Sequence, residues 1–164
     1  MTLDTVVRDF FVSLQGPAQQ QVFFVISESV YVLLALAIIL LVRDFITKKR
    51  DFKFAVLVVS ALILFAVVEI LKTFTGRMRP DGSDDESFPS RHTTLAFFVA
   101  TFFPTKDARY KILLYIWAIL IGISRMALNV HWFTDVIAGA LIGIGFAWII
   151  NKIKTDKLLK LVRR

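Results

Sequence analysis

Three short polar segments interrupt an otherwise apolar chain: Lys72 to Pro80, Phe88 to Thr93, and Ser124 to Asp135. Their residue types suit phosphoryl transfer. Lys72, Arg79 and Arg125 could neutralise a phosphate, Ser90 could donate a hydrogen bond, and His92 and His131 could supply a nucleophile and a proton. Arg fits bidentate phosphate contacts and Lys a point contact. Lys72 and Arg79 are close to two helical turns apart, so a helix prolonged past Leu71 would carry both on one face until Pro80 stops it. Alone, Lys72 reads as a span-end lysine reaching for water. With the other two segments it reads as one of several cations aimed at an anion.

Ser90 is placed as an N-cap, so the backbone N–H groups that follow it would face the same anion with the positive end of a helix dipole. His92 falls on the first turn of that helix. Asn129 is the residue best suited to reverse the chain after Ile123. His131 and Asp135 would then open the last helix four residues apart on one face. A carboxylate at that spacing can accept a hydrogen bond from one imidazole nitrogen and leave the other free to act as nucleophile or base. Each feature alone has a plainer reading, as a cap or an interfacial imidazole; it is their coincidence that argues for chemistry.

The elements that must position these residues are membrane spans. The chain has 164 residues, 57% hydrophobic and 20% charged, with a mean hydropathy of +0.69, outside the usual range of a soluble domain. Apolar runs occupy Val22 to Val42, Phe54 to Leu71, Thr93 to Phe103, Ile112 to Ile123 and Val136 to Ile150. The third is too short to span alone; as a helix from Ser90 to Phe103 it covers ~20 Å of a ~30 Å core. Thr2 to Leu14 has apolar residues near a 3.6-residue period, which predicts an interfacial helix ended by Gly16-Pro17, and it lacks the pattern of a signal peptide. These readings give an all-α integral membrane bundle of about five spans plus an N-terminal interfacial helix (1–16), a single domain over 1–164.

There is no Cys, hence no thiolate nucleophile, disulfide or Cys-ligated metal, and the carboxylates are not spaced like a metal cage. The expectation is no metal and no cofactor. The formal net charge is +7, which raises a nucleic-acid partner, but the basic residues are sorted by face. Fourteen of the twenty Lys and Arg fall in the Arg43 to Lys53 connection, the Pro104 to Lys111 connection and the tail from Asn151. By the positive-inside rule that face, with the C-terminus, is cytoplasmic, and no nucleic-acid module accompanies it. The remaining six, Arg8, Lys72, Arg77, Arg79, Arg91 and Arg125, lie on the outer side with both histidines. Gly139 and Gly143 form a GxxxG that predicts a close helix contact. Glu28 and Glu69, inside apolar runs, are costly there and hint at function; Glu69, three residues before Lys72, reads equally as its ion-pair partner or as a residue with a direct role.

Over Lys72 to Asp135 the chain resembles the type 2 phosphatidic acid phosphatase (PAP2) superfamily, which also includes vanadium haloperoxidases. That pattern is K-x6-RP, PSGH and SR-x5-H-x3-D, matched here by Lys72, Arg79 and Pro80; by Pro89, Ser90 and His92; and by Ser124, Arg125, His131 and Asp135. The resemblance implies an antiparallel helical bundle with its site at the outer end. It implies His131 as the nucleophile that forms a phosphohistidine, Asp135 as its orienting partner and His92 as the general acid. Lys72, Arg79, Ser90 and Arg125 are then the phosphate binders. Arg91 stands where the family most often has Gly, and is a further candidate phosphate contact.

The expected activity is that of a metal-independent lipid phosphate or diphosphate phosphatase in the cell membrane, acting at the extracytoplasmic face. The compact chain and the acidic Asp84-Asp85-Glu86 loop favour an isoprenyl (undecaprenyl-type) diphosphate; phosphatidylglycerophosphate and phosphatidic acid are the alternatives. A phosphate or anion transporter is the non-enzymatic alternative, but it would need polar residues through the membrane, where the inner halves of the spans are almost purely apolar.

Overall fold

The computed structural model describes residues 2–47, 53–103, 105 and 107–153. They form six helices: α1 (Leu3–Ser13), α2 (Pro17–Ile46), α3 (Lys53–Thr75), α4 (Arg91–Phe102), α5 (Ala108–Ala127) and α6 (Phe133–Lys152). Four of them are long and apolar enough to cross a membrane, over Pro17–Ile39, Ala55–Thr75, Ala108–Ala127 and Phe133–Lys152. The apolar run from Thr93 does not add a fifth full crossing. It is the 12-residue α4, about 18 Å long.

That short helix is the centre of the bundle. It packs most extensively on α6 and α5, and also on α3 and α2. Leu95, Ala96, Phe98, Val99 and Ala100 of α4 are buried, with Val30, Leu64 and Ile121 from three surrounding helices. Leu36, Leu62, Leu113, Leu141 and Ile149 point outward and are exposed. An apolar exterior around an apolar core is the arrangement of helices solvated by lipid. The far end of α4 is finished by Lys111, whose ammonium donates to the carbonyls of Thr101 (2.7 Å) and Phe103 (3.2 Å), satisfying acceptors that the helix end leaves open.

The GxxxG of α6 makes the closest of these contacts. A Cβ on Gly139 would stand 2.8 Å from the Ser90 carbonyl oxygen, and one on Gly143 would stand 2.9 Å from the Phe98 backbone nitrogen. Only hydrogen fits at either position. Ser90 N then donates to the Asp135 carbonyl at 3.1 Å, joining the N-terminal ends of α4 and α6.

The chain reversals follow from single residues. Asn129 takes the left-handed conformation at φ 59, as its tolerance of that region predicts. Gly76, at φ 53, ends α3 after Thr75. The helix therefore does not run on to Pro80, and Arg79 does not share a helical face with Lys72. The left-handed residue turns the chain out of the helix, and Arg79 lies in a turn in which its N–H donates to the Asp84 carbonyl at 2.9 Å. α1 begins at a Thr2 cap whose hydroxyl accepts from Thr5 N (3.3 Å), and it exposes Leu3, Val6 and Phe10. It packs on α5 and α6, and Gln15 Nε2 donates to the Ala127 carbonyl at the end of α5 (2.9 Å). Of the basic residues that set the expected sidedness, Lys48, Lys49, Arg50, Lys106 and those from Lys154 onward lie outside the described residues.

Gly143→Ala is expected to destabilise the bundle by about 1–3 kcal/mol through overpacking, while Gly145→Ala, where a Cβ meets nothing within 4 Å, is near neutral. Thermal midpoints of the two variants in the same detergent check this.

Candidate active site

The antiparallel order brings the end of α3, the start of α4, the end of α5 and the start of α6 to one end of the bundle. The chemistry-bearing side chains gathered there are withdrawn from the surface. Lys72, Ser90, His92, Arg125, His131 and Asp135 are all buried, Ser90 and Asp135 completely. Burying two cations and a carboxylate is expensive unless partners are supplied, and the partners define the site.

Asp135 is the most heavily bonded. Its carboxylate accepts from Ser87 Oγ (2.5 Å), from Trp132 N (2.8 Å) and from Arg77 Nη1 (2.6 Å). His131, just before α6 rather than on it, has Nδ1 3.7 Å from Asp135 Oδ2. That distance exceeds a hydrogen bond, and Nδ1 is a buried atom with no hydrogen-bond partner. The expected His131–Asp135 pair is thus adjacent but open, because Ser87, Trp132 and Arg77 already hold the carboxylate. Burial pushes the His131 pKa down to about 4; the Arg125 and Lys72 charges push the same way and Asp135 pulls back. At neutral pH the imidazole is uncharged, the form a nucleophile requires.

His92 occupies the first turn of α4, within electrostatic reach of Arg125, His131, Arg91 and Lys72. Its Nε2 lies 3.2 Å from Glu28 Oε1, and Tyr31 meets the ring edge-on with centroids 4.9 Å apart. Glu28 also lies 4.0 Å from Arg125 Nη1, which donates to Ser27 Oγ at 3.2 Å. Sequence reasoning flagged Glu28 only as a costly residue in a span; the structure joins it to the second histidine and a cation. The Ser124 hydroxyl is spent inside α5, donating to the Ile121 carbonyl (2.7 Å).

Other candidates have different partners from those expected. Ser90 is the N-cap of α4, but its hydroxyl pairs with Thr93 Oγ1 (2.9 Å) and makes no cap bond to the backbone. Lys72 Nζ donates to the Glu86 carbonyl and makes no pair with Glu69. Glu69 instead holds Arg91, 2.9 Å from its Nη1, and the Arg91 guanidinium lies over the Phe65 ring at 5.1 Å. The glutamate is one turn back on α3 from Lys72, whereas Arg91 faces it from α4. Arg79 is held by Asp84 (Nε to Oδ1, 2.6 Å). Burial alone would raise Asp84; the Glu86 N–H and the Arg79 charge hold it below the usual carboxylate range. Arg77 and Ser87, both on Asp135, are the residues sequence reasoning left without a role. Their only signal was position, inside or beside the matched segments.

Beside His92 an apolar groove of about 200 Å³ runs down between α2 and α3, lined among others by Tyr31, Leu34, Leu62, Phe65 and Leu95. Among the described residues, no group of three or more His, Asp or Glu side chains is placed to hold a metal ion. The arrangement offers a neutral imidazole beside a fixed carboxylate, a second imidazole beside Glu28, and cations around both.

Comparison with known proteins bears on this set of residues. The model of the PAP2 superfamily matches residues 52–158. The chain belongs to that superfamily. It is similar to a lipid A 1-phosphatase of Porphyromonas gingivalis, 44% identical over 73 residues that cover 42% of this chain and 16% of the relative. It is also similar to the bacitracin transport permease protein BcrC of Bacillus licheniformis, 31% identical over 144 residues, 75% of this chain and 66% of that one. The crystal structure of Aquifex aeolicus LpxE superposes with a TM-score of 0.76 at 28% identity, covering 93% of this chain and 96% of the other. The chain spans 16% of the first relative's length. As a PAP2 member with four candidate crossings, it is a multi-pass membrane protein of all-helical fold.

Between the ordinary imidazole value of 6.5 and about 4, unfolded His131 binds a proton that the folded chain excludes, so stability should fall as pH is lowered through this window. Thermal midpoints measured from pH 7 down to pH 4 should drop, and His131→Gln should flatten part of that drop.

Proposed function

We propose that the protein is a metal-independent phosphatase of lipid phosphates or diphosphates, working through a phosphohistidine on His131. The observation that carries the reading is the geometry: His131 is buried with its Nδ1 3.7 Å from the Asp135 carboxylate, at the same end of the bundle as the buried His92, Lys72 and Arg125. An imidazole nitrogen of His131 attacks phosphorus, and the bond from phosphorus to the lipid-side oxygen breaks. His92 gives that oxygen a proton. Burial and the Arg125, His131, Arg91 and Lys72 charges push its imidazole pKa down to about 2, so it is the charge of the arriving phosphate, with Glu28 at 3.2 Å, that must bring the proton to it. Positive charge develops on His131 as its bond to phosphorus forms, and Asp135 stabilises it. Water then attacks the phosphohistidine, His92 takes up the water's proton, and inorganic phosphate leaves. Lys72, Arg79, Arg125, Ser90 and the start of α4 bind the phosphate oxygens, with Arg79 turning from Asp84 towards the anion. Arg91, tied to Glu69, stands at the rim and contacts a second phosphate or the headgroup.

A lipid suits the position of the site. The candidate phosphate-binding residues are at the end of a bundle with an apolar exterior, and the apolar groove lined by Tyr31, whose ring meets that of His92, offers a surface for a hydrocarbon chain. Isoprenyl diphosphate, undecaprenyl-type, is the leading substrate because the connection from Pro80 to Pro89 beside the site is short and its acidic Asp84-Asp85-Glu86 run suits a compact headgroup better than a large anionic one. A lipid A-type 1-phosphate is the second reading, favoured by the 44% identical relative; phosphatidylglycerophosphate and phosphatidic acid complete the set. The site faces the extracytoplasmic side with the C-terminus in the cytoplasm, on the strength of the basic residues at the opposite end.

Purified protein with EDTA present should release phosphate from at least one member of that panel. His131→Ala should lower the rate by ~10³-fold or more, and His92→Ala by about 10²–10⁴-fold. Release that requires an added divalent ion, or an unchanged His131→Ala, sinks the reading; phosphate uptake into vesicles that survives His131→Ala indicates the transporter.

A further inference from the structure

Arg77 carries a bond pattern that the reaction just described does not use. Its Nη1 donates to Asp135 Oδ1 at 2.6 Å and to Thr134 Oγ1 at 2.7 Å, and its Nη2 donates to Asp4 Oδ2 at 2.6 Å. Asp4 is on the first turn of α1, and it holds the start of α6 as well. Thr134 N donates to Asp4 Oδ1 at 2.9 Å, and Thr134 Oγ1 to Oδ2 at 2.8 Å. The guanidinium also lies 5.6 Å from the Trp132 ring centroid. One planar fork thus joins two carboxylates, one at the buried centre of the site and one on the interfacial helix.

We propose that Arg77 and Asp4 are positioning residues for the His131–Asp135 pair, so that the seating of α1 on the bundle sets the catalytic geometry; this rests on the phosphatase reading above. Asp135 is wholly buried, and Arg77 is the one guanidinium among the described residues within ion-pair distance of it. A buried carboxylate without a cation would take a proton or draw one onto His131. Either outcome removes the combination of an ionised aspartate and an uncharged nucleophile. Arg77 is itself one-third exposed and Asp4 only 13%, so the fork is held in place from outside by α1. Leu3, Val6 and Phe10 of that helix are exposed, an apolar face suited to a membrane interface, while Asp4 faces inward to the clamp.

The test compares wild type, Arg77→Ala, Arg77→Lys, Asp4→Asn and the Arg77→Ala/Asp4→Asn double variant, on the full chain and on the lipid phosphate that wild type cleaves best. Arg77→Ala should lower kcat by on the order of 10- to 100-fold, as loss of an outer partner does at other sites, with KM little changed. Arg77→Lys should recover part of the loss, Asp4→Asn should reduce kcat less, and the double variant should be no slower than Arg77→Ala, since the two act as one unit. A lowered thermal midpoint with unchanged kcat makes Arg77 merely structural and overturns the inference. An effect confined to KM makes it a phosphate binder and overturns it too. The sequence has no cysteine, so Asp4→Cys/Thr134→Cys in membranes, treated with a short bis-methanethiosulfonate, reads the clamp without activity. Efficient intramolecular linking is expected, and its absence overturns the α1 contact. Wild type inactive on every lipid phosphate sinks the phosphatase reading and the catalytic part of this one, whereas an active wild type with an unaltered Arg77→Ala sinks this one alone.

Discussion

The close approach of α4 to α6 at Gly139 and Gly143 is the constraint on which the site depends. With no side chain between them, the two backbones come near enough for Ser90 N to reach the Asp135 carbonyl. The segments that carry His92 and His131 start from that shared point. In a bilayer, where apolar side chains gain nothing by leaving lipid for protein, such backbone proximity is a main source of helix association. The same contact therefore contributes to holding the bundle together and sets the spacing of the two imidazoles.

A second constraint is electrical. The end of the bundle collects Lys72, Arg77, Arg79, Arg91 and Arg125, and the side-chain pairing among them is specific: Arg79 with Asp84, Arg91 with Glu69, Arg77 with Asp4 and Asp135, and Arg125 with Glu28. Lys72, alone in this set, has its bond to a neutral carbonyl, that of Glu86. Carboxylates thus stand where an arriving phosphate would compete. On the proposed function, phosphate binding would exchange one anion for another at Arg79 and Arg125, and it would encounter fewer unpaired buried charges than the count of cations suggests.

The membrane helices and the three polar segments were legible because lipid demands long apolar runs and because phosphate chemistry uses few residue types. The turn at Asn129, the contact at Gly139 and Gly143, and α1 followed from local rules that need no tertiary knowledge. The partners of each charge were not legible. Nothing in the spacing tells that Glu69 turns to Arg91 instead of Lys72, since both lie within its reach and only the packing of α3 on α4 decides. The spacing of Lys72 and Arg79 predicts one helical face, but Gly76 between them takes a left-handed φ and ends the helix first. The bonds from Asp4 and Arg77 to the start of α6 link positions more than fifty residues apart, which no periodicity records.

The 12 residues of α4 also fix a vertical coordinate. One end is tied to Lys111 and the other carries His92, so on the proposed function the length of this one helix would act as a ruler for how deep the reaction takes place. One more turn would move His92 about 5.4 Å farther from the Lys111 end. Chains of this architecture can thus be tuned to substrates whose cleavable bond lies nearer to or farther from the hydrocarbon by insertion or deletion in a single segment, with every reactive group left as it is.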